Sequence, residues 1–424
     1  MMKRNCYAAG ILVASLLPAA IARAQSYEAY YLSNRQPYPL GETIWSNDVQ
    51  GVAHDDDHWY ITATEVFWKI PVEQDLNTVS LASPGVVLKT FGHYPDLAGY
   101  DHFGDPDVYR YAGTDYLLLP IENHDGNMPG AIAILRCADL SYVAHFSLPN
   151  PPPPHAAQAN DAGWVAVHSL GALVTSKQHV GPLPGLPARG LRFYYLDWGL
   201  LHTAGLVDVQ FEAEIPVFDE QGQPVHLTTM QGGEFAPGDN LIYLVSGFYD
   251  DSDGLEEREG IHVFDTVTYH RVAHSTRGYG YFDYYYDPGF STYEEPEGLT
   301  IWDLDEGRAP NINGQLHVLV SDNDLDGGDV DFKHYTRNIR VAAGAPCAYL
   351  ACCIPAPPPG CPTPFNQSCE FGVTECPFQT IGSALNLAWD GAQLRIQTGQ
   401  YFETLTIARR VRLSAEGGTV RIGG

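Results

Sequence analysis

Carboxylates carry the clearest chemical spacing in this chain. From Ser321 to Asp331 the sequence reads Ser-Asp-Asn-Asp-Leu-Asp-Gly-Gly-Asp-Val-Asp. Asp322, Asp324 and Asp326 alternate ahead of Gly327, and Asp331 follows. That is the first half of a D-x-D-x-D-G calcium loop, in which the glycine permits the tight turn that lets three oxygens converge on one ion. The twelfth position is Lys333, where an EF-hand has a bidentate Glu, and no helix pattern flanks the run. An acidic, solvated turn after a strand at 316–320 is therefore the competing reading. Asp250-Asp251-Ser252-Asp253-Gly254 is a poorer copy of the same pattern. The aromatic cluster Tyr279, Tyr281, Phe282, Tyr284, Tyr285 and Tyr286 can stack on sugar faces or pack as a strand edge. His155, His168 and His179 have no ligand spacing, and no G-x-S-x-G, H-E-x-x-H or phosphate loop is present.

The elements that must position these groups read as strands. Between about Ser26 and Arg340 a phrase recurs: a polar or acidic residue with Gly, then a β-rich run ending in a turn. Gln50-Gly51 leads to His58–Thr62, Gly104-Asp105 to Asp115–Leu119, Gln231-Gly232 to Leu241–Val245, and Glu297-Gly298 to Leu316–Val320. Helical periodicity is nearly absent, while 42 Gly, 31 Pro and 26 Tyr suit short strands joined by turns. Many short strands at regular spacing indicate an all-β sandwich, barrel or propeller, and a repeat of roughly fifty residues favours the propeller. In a propeller the inner strands bring their first residues to the channel mouth. Gln50, His54, His102, Asp107, Gln231 and Glu234 are thus candidate ligand-binding residues, able with Asp105 and Glu297 to hold a polar ligand or a divalent ion. The plain alternative is that Gln-Gly and Glu-Gly are turn residues capping backbone amides.

Lys3 and Arg4, the apolar run 7–21 and Ala22-Arg23-Ala24 read as a signal peptide cleaved before Gln25, so the expected location is secreted, extracellular or periplasmic. Cleavage removes Lys3, Arg4 and Arg23 and takes the formal charge from −28 to −31. So acidic a protein repels nucleic acid and anionic lipid. No membrane span is expected after cleavage, because no later segment is long and apolar enough. Cys347, Cys352, Cys353, Cys361, Cys369 and Cys376 crowd one stretch, a disulfide staple in an exported chain whose pairing stays open. Cys137 is the odd one, expected as a buried free thiol on a strand.

These boundaries divide the chain into a leader (1–24), a propeller (25–340), a Cys/Pro-rich linker (341–376) and a C-terminal segment (377–424). Within the second, "QGVAHDDDHWYIT", "GDPDVYRYAGTDYLLLPIE" and "EEPEGLTIWD" resemble inner-strand segments of six-bladed propellers of the SMP-30, strictosidine-synthase and NHL type. That resemblance implies about six blades and a channel calcium, with Glu297 similar to an early acidic ligand. "GDPDVYRYAGTDYLL" is also similar to five-bladed glycoside hydrolases, which would make Asp105 a base and Glu297 an acid, the candidate catalytic pair. In the C-terminal segment 377–385 reads as a short amphipathic helix with Ile381, Leu385 and Ala388 on one face. Thr380, Ile381, Ala384, Leu385, Gly391, Leu394, Ile396, Gly399, Tyr401, Glu403, Leu405 and Ile407 resemble the opening of a pectin-lyase-like parallel β-helix. The expected protein is a calcium-stabilised propeller that binds a polar extracellular ligand such as a glycan, with a metal-dependent hydrolase as the alternative.

Overall fold

A computed structural model describes residues 29–37, 45–124, 128–149, 162–182, 189–219, 222–247, 260–276, 279–280, 294–322, 329–343, 378–388, 391–408 and 410–423. The leader, the six clustered cysteines, the segment 250–254 and Tyr281–Tyr286 lie outside these residues. The described chain is an all-β propeller of five blades. The first blade is β2 (Val49–His54), β3 (His58–Ala63), β4 (Val66–Pro71) and β5 (Val87–Thr90). The second is β6 (His102–Phe103), β7 (Asp107–Tyr111), β8 (Thr114–Glu122), β9 (Ala131–Arg136) and β10 (Tyr142–Ser147), with β6 and β7 sharing the inner edge of β8. The third is β11 (Ala166–Val167), β12 (Leu173–Thr175), β13 (Leu191–Leu196) and β14 (Val209–Ile215), with the helix α1 (Trp198–Ala204) after β13. The fourth is β15 (Met230–Phe235), β16 (Leu241–Ser246), β17 (Gly260–Asp265), β18 (Arg271–Thr276) and β19 (Tyr279–Gly280). The fifth is β20 (Glu294–Ile301), β21 (Leu316–Asp322) and β22 (Asp329–Val341), closed by the N-terminal strand β1 (Ala29–Pro37) antiparallel to β22.

The expected count of about six blades is corrected to five. Each blade has one glycine of the set Gly51, Gly104, Gly163, Gly232 and Gly298 on or next to its inner strand, so the repeat is longer than fifty residues. The instance at Gly163 escapes a search for polar-Gly pairs because Ala162 precedes it.

Strand periodicity explains the ring. On β8, Leu117, Leu119 and Ile121 join Tyr60, Phe67 and Phe103 between the first and second blades, while Tyr116 and Leu118 face Val165, Leu173 and Tyr194 of the third. Successive side chains of a strand point to opposite faces, so each blade feeds two interfaces and cannot bury both alone. The ring completes through Trp164, Ile242 and Phe264, then Tyr243, Leu299 and Val318, then Trp59, Leu319 and Phe332. Beyond β22 the chain adds α2 (Ile381–Leu387), β23 (Gln393–Tyr401) and β24 (Arg412–Ile422), the two strands running parallel to β22 and to each other. Ile381, Ala384, Ala388, Leu394 and Ile396 are buried in the same cluster as Leu299 and Val318, so this segment shares its core with the fifth blade. Leu385, expected beside Ile381, is only partly buried.

Cys137 is a buried free thiol in the turn just after β9, raised by burial to about 12. No described helix is long and apolar enough to cross a membrane.

Between the first and last blades two fully buried histidines meet. His317 Nε2 lies 2.8 Å from the Trp302 carbonyl and donates to it, leaving its Nδ1 to accept from His334 Nδ1 at 2.8 Å. Burial lowers His317 to about 3 and His334 well below its ordinary value. Unfolded histidines near 6.5 bind protons that these cannot, so the pair's contribution is full above that pH and is lost as pH falls. In an imidazole NMR titration both rings should stay neutral down to about pH 4.5 while the protein remains folded. A midpoint near 6.5 for either ring would overturn this assignment.

Candidate functional site

The axis of the propeller is closed by one side chain. Asp105 is fully buried between β6 and β7, with Oδ1 accepting from Val52 N at 2.8 Å and Oδ2 from Gly233 N at 3.2 Å. Its backbone is tied to the third blade: Asp105 N donates to Gly163 O at 2.9 Å and Val165 N to Asp105 O at 3.1 Å. Glycines surround it because nothing larger fits. A Cβ on Gly232 would lie 2.5 Å from Asp105 Oδ2 and 2.9 Å from Gly298 Cα, and one on Gly298 would lie 2.7 Å from Gly51 Cα. The inner strands of the first, fourth and fifth blades therefore touch one another across the axis at this level. Burial, and then the nearby Glu234 and Asp107, hold Asp105 well above the usual carboxylate range despite its two amide donors.

This plug separates the sequence candidates into two groups. On the side where the inner strands begin stand Gln50, His102, Gln231 and Glu297. On the other side of Asp105 stand His54 at the end of β2, Glu234 near the end of β15, and Asp107, which opens β7 two residues after Asp105. A single channel lined by all of them, as expected from sequence, is replaced by two mouths with a seal between.

The first mouth is built by a repeated device. In β2, β15 and β20 the pairing register slips between Val49 and Gly51, between Met230 and Gly232, and between Pro296 and Gly298. Each slip is a β-bulge that leaves one residue unpaired, and the residues are Gln50, Gln231 and Glu297. A bulge re-aims a side chain that regular pleating would point elsewhere. The polar-Gly pairs are thus bulges inside strands, not turns capping amides. Gln50 folds back, Nε2 donating to Val49 O at 3.0 Å. Gln231 reaches into the mouth, where Nε2 donates to Glu295 Oε1 at 2.5 Å and to Glu297 Oε2 at 3.1 Å. Glu297 is 2% exposed. Burial raises it well above its ordinary range, and the charges of Glu295, Asp48 and Asp105 add to the rise. His102 is lowered by burial to about 4, and its ring meets that of His124 edge-on with centroids 4.6 Å apart.

Asp48 and Glu295 were not singled out from sequence, yet a signal existed. Each stands two residues before a bulged residue, in Asp48-Val49-Gln50-Gly51 and Glu295-Pro296-Glu297-Gly298. Asp48 is exposed and adopts φ 54°, while Thr229, at the same offset before Gln231, adopts φ 47°. A left-handed β-branched residue is a true outlier, and such strain gathers at functional sites.

At the second mouth Asp107 accepts from Val167 N and Val108 N, both at 2.6 Å, and burial raises it to about 7. Glu234 Oε2 accepts from Ile301 N at 3.1 Å, and burial with the Asp107 charge raises it too. His54, lowered by burial, stacks on Trp302 with centroids 4.4 Å apart. These three side chains brace neighbouring inner strands through backbone contacts.

Of the acidic run expected to hold calcium, Asp324 and Asp326 and the side chain of Asp322 lie outside the described residues. Asp331 lies within β22, fully buried, with Lys333 Nζ 3.9 Å from its carboxylate. Among the described residues no group of three His, Cys, Asp or Glu side chains is arranged to hold a metal ion.

No family model and no curated protein matches this chain. Solved structures similar to it include a GH43_1 enzyme from Xanthomonas citri at 14% identity, covering 72% of this chain and 91% of that one with a TM-score of 0.39. The glutaminyl cyclase of Myxococcus xanthus is similar at 11% identity, with coverages of 74% and 99% and a TM-score of 0.39. The catalytic domain of the Coprinopsis cinerea GH62 α-L-arabinofuranosidase is similar at 12% identity, with coverages of 73% and 98% and a TM-score of 0.40. Likenesses this distant assign no activity.

The seal gives a direct test. Asp105→Ala leaves two buried amides without acceptors, a cost of about 1–3 kcal/mol each. Gly298→Ala forces a methyl into occupied space, typically about 1–3 kcal/mol or more. Both variants should lose stability in urea titrations, and wild-type midpoints would show that the axis is not where the blades are joined.

Proposed function

We propose that the protein is an exported, glycan-directed propeller that hydrolyses its ligand at the first mouth, with Glu297 as general acid and Asp48 as the carboxylate that activates water. The observation that carries this reading is the Glu297 environment. A carboxyl whose ionisation is opposed by burial and by neighbouring acids, with the exposed Asp48 among them, is the division of labour that glycoside hydrolysis requires. Asp105 is unsuited to the base's role that the sequence offered, because both its oxygens accept from backbone amides inside the seal. That same observation favours a second reading, a binding module without turnover.

We also propose that residues 377–424 begin a parallel β-helix, which the parallel pairing of β23 with β22 and of β24 with β23 supports. Calcium at the acidic turn is retained as a proposal with Asp322, Asp324 and Asp326 as ligands. Asp331 does not fit that role, since Lys333 already compensates its charge.

Two measurements follow. Assayed on a panel of aryl glycosides and neutral oligosaccharides, Glu297→Gln and Asp48→Asn should each lose about 100-fold or more in kcat with unchanged melting temperature. Saturable sugar binding without wild-type turnover would instead establish the binding module. Calorimetric titration should show calcium binding that vanishes in Asp322→Ala/Asp324→Ala, and binding that survives in that variant would remove the acidic turn as its site.

A further inference from the structure

Gln231 stands where one amide nitrogen serves two carboxyl groups. Its Nε2 is 2.5 Å from Glu295 Oε1 and 3.1 Å from Glu297 Oε2, and with an acceptor on either side the nitrogen, not the oxygen, must face them. The amide carries two hydrogens, one for each acid. Gln50 occupies the matching bulge of the first blade but spends its amide on the carbonyl of Val49. The bulge alone therefore does not dictate the contact; the carboxyls of the fifth blade do.

We propose that Gln231 is the positioning residue of the first mouth, fixing the Glu297 carboxyl so that Oε2 accepts from the amide and Oε1 carries the transferable proton. A carboxylic acid accepts through its carbonyl oxygen more readily than through its hydroxyl oxygen. An amide donor committed to Oε2 thus assigns the hydroxyl to Oε1. Glu295, holding the other amide hydrogen, is kept from taking that proton across a direct carboxyl–carboxyl contact. The role in proton delivery rests on the hydrolytic reading above, whereas the orientation does not.

The groups that face Glu297 are Glu295 of its own strand, Asp48 ahead of β2 and Asp105 at the axis, all acidic, with Gln231 as the neutral donor. Removing the donor while keeping side-chain length should make Glu297 harder to ionise, because the amide favours the charged form. The infrared band of the protonated acid, isolated by subtracting the spectrum of Glu297→Gln, gives its midpoint without any assay of turnover. In Gln231→Met, measured against Gln231→Met/Glu297→Gln, that midpoint should rise by about one pH unit, the loss expected for one hydrogen bond to a charged group. In Glu295→Gln it should fall, because a like charge is removed. An unchanged midpoint in folded Gln231→Met overturns the proposal. If Gln231→Met fails to fold by near-ultraviolet circular dichroism, a midpoint that rises in Glu295→Gln overturns it instead. Where a substrate is in hand, Gln231→Met should lower kcat with KM little changed and move the basic limb of the pH profile upward. Absence of wild-type turnover would remove the hydrolytic reading while leaving the infrared result to decide the orientation.

Discussion

Asp105 and the glycines around it are the constraint on which the rest of this propeller depends. Five inner strands approach one axis, and the gap left there is too small for side chains from all of them. The solution is one carboxyl group from the second blade packed against Gly51, Gly232 and Gly298 of the first, fourth and fifth. The carboxyl takes amide hydrogens from the first and fourth blades, and its own backbone pairs with the third. A buried carboxyl without partners would be costly, so the plug is stable only because its acceptors are filled. Burial still opposes its ionisation and holds it well above the usual carboxylate range, even with both amides in place.

The seal shapes chemistry as well as stability. It stands between two groups of inner-strand side chains whose partners differ. The second mouth uses its carboxyls to hold backbone amides, which is a bracing function. The first mouth aims side chains by bulges and leaves Glu295, Glu297 and Gln231 in contact with one another. Both mouths carry acids pushed up by burial, so a raised carboxyl alone does not distinguish a site from a brace. What distinguishes them is how the carboxyls are held: Asp107 and Glu234 each accept from a backbone amide of a neighbouring inner strand, whereas Glu295 and Glu297 share the amide of Gln231.

Closure of the ring is a long-range event. β1 pairs with β22, some three hundred residues later, so the Trp59, Trp302 and Phe332 interface forms only when both ends of the propeller are present. The neutral histidine pair lies in that same seam and ties its order to pH. Sharing of the Leu299 and Val318 core with α2 and β23 extends the fifth blade outward, which makes the C-terminal strands part of its burial instead of an appendage.

Much of this was legible in the chain itself. Short β-rich runs such as Leu117–Leu119, recurring behind the Gly-bearing phrase, point to an all-β ring, because strand propensity and Gly placement are local properties. The same local logic places a short helix at 377–385, which the structure shifts to Ile381–Leu387 behind the Thr380 cap, and marks Cys137 as a buried thiol. The residues Gln231 and Glu297 were likewise visible as members of a repeat. Sequence could not show that the phrase is a bulge and not a turn, because register belongs to a pair of strands. Nor could it show that Asp105 seals the axis, that Asp48 and Glu295 join Glu297, or that there are five blades. Each of those depends on where strands separated by fifty to two hundred and fifty residues meet, and only tertiary packing around a common axis decides that.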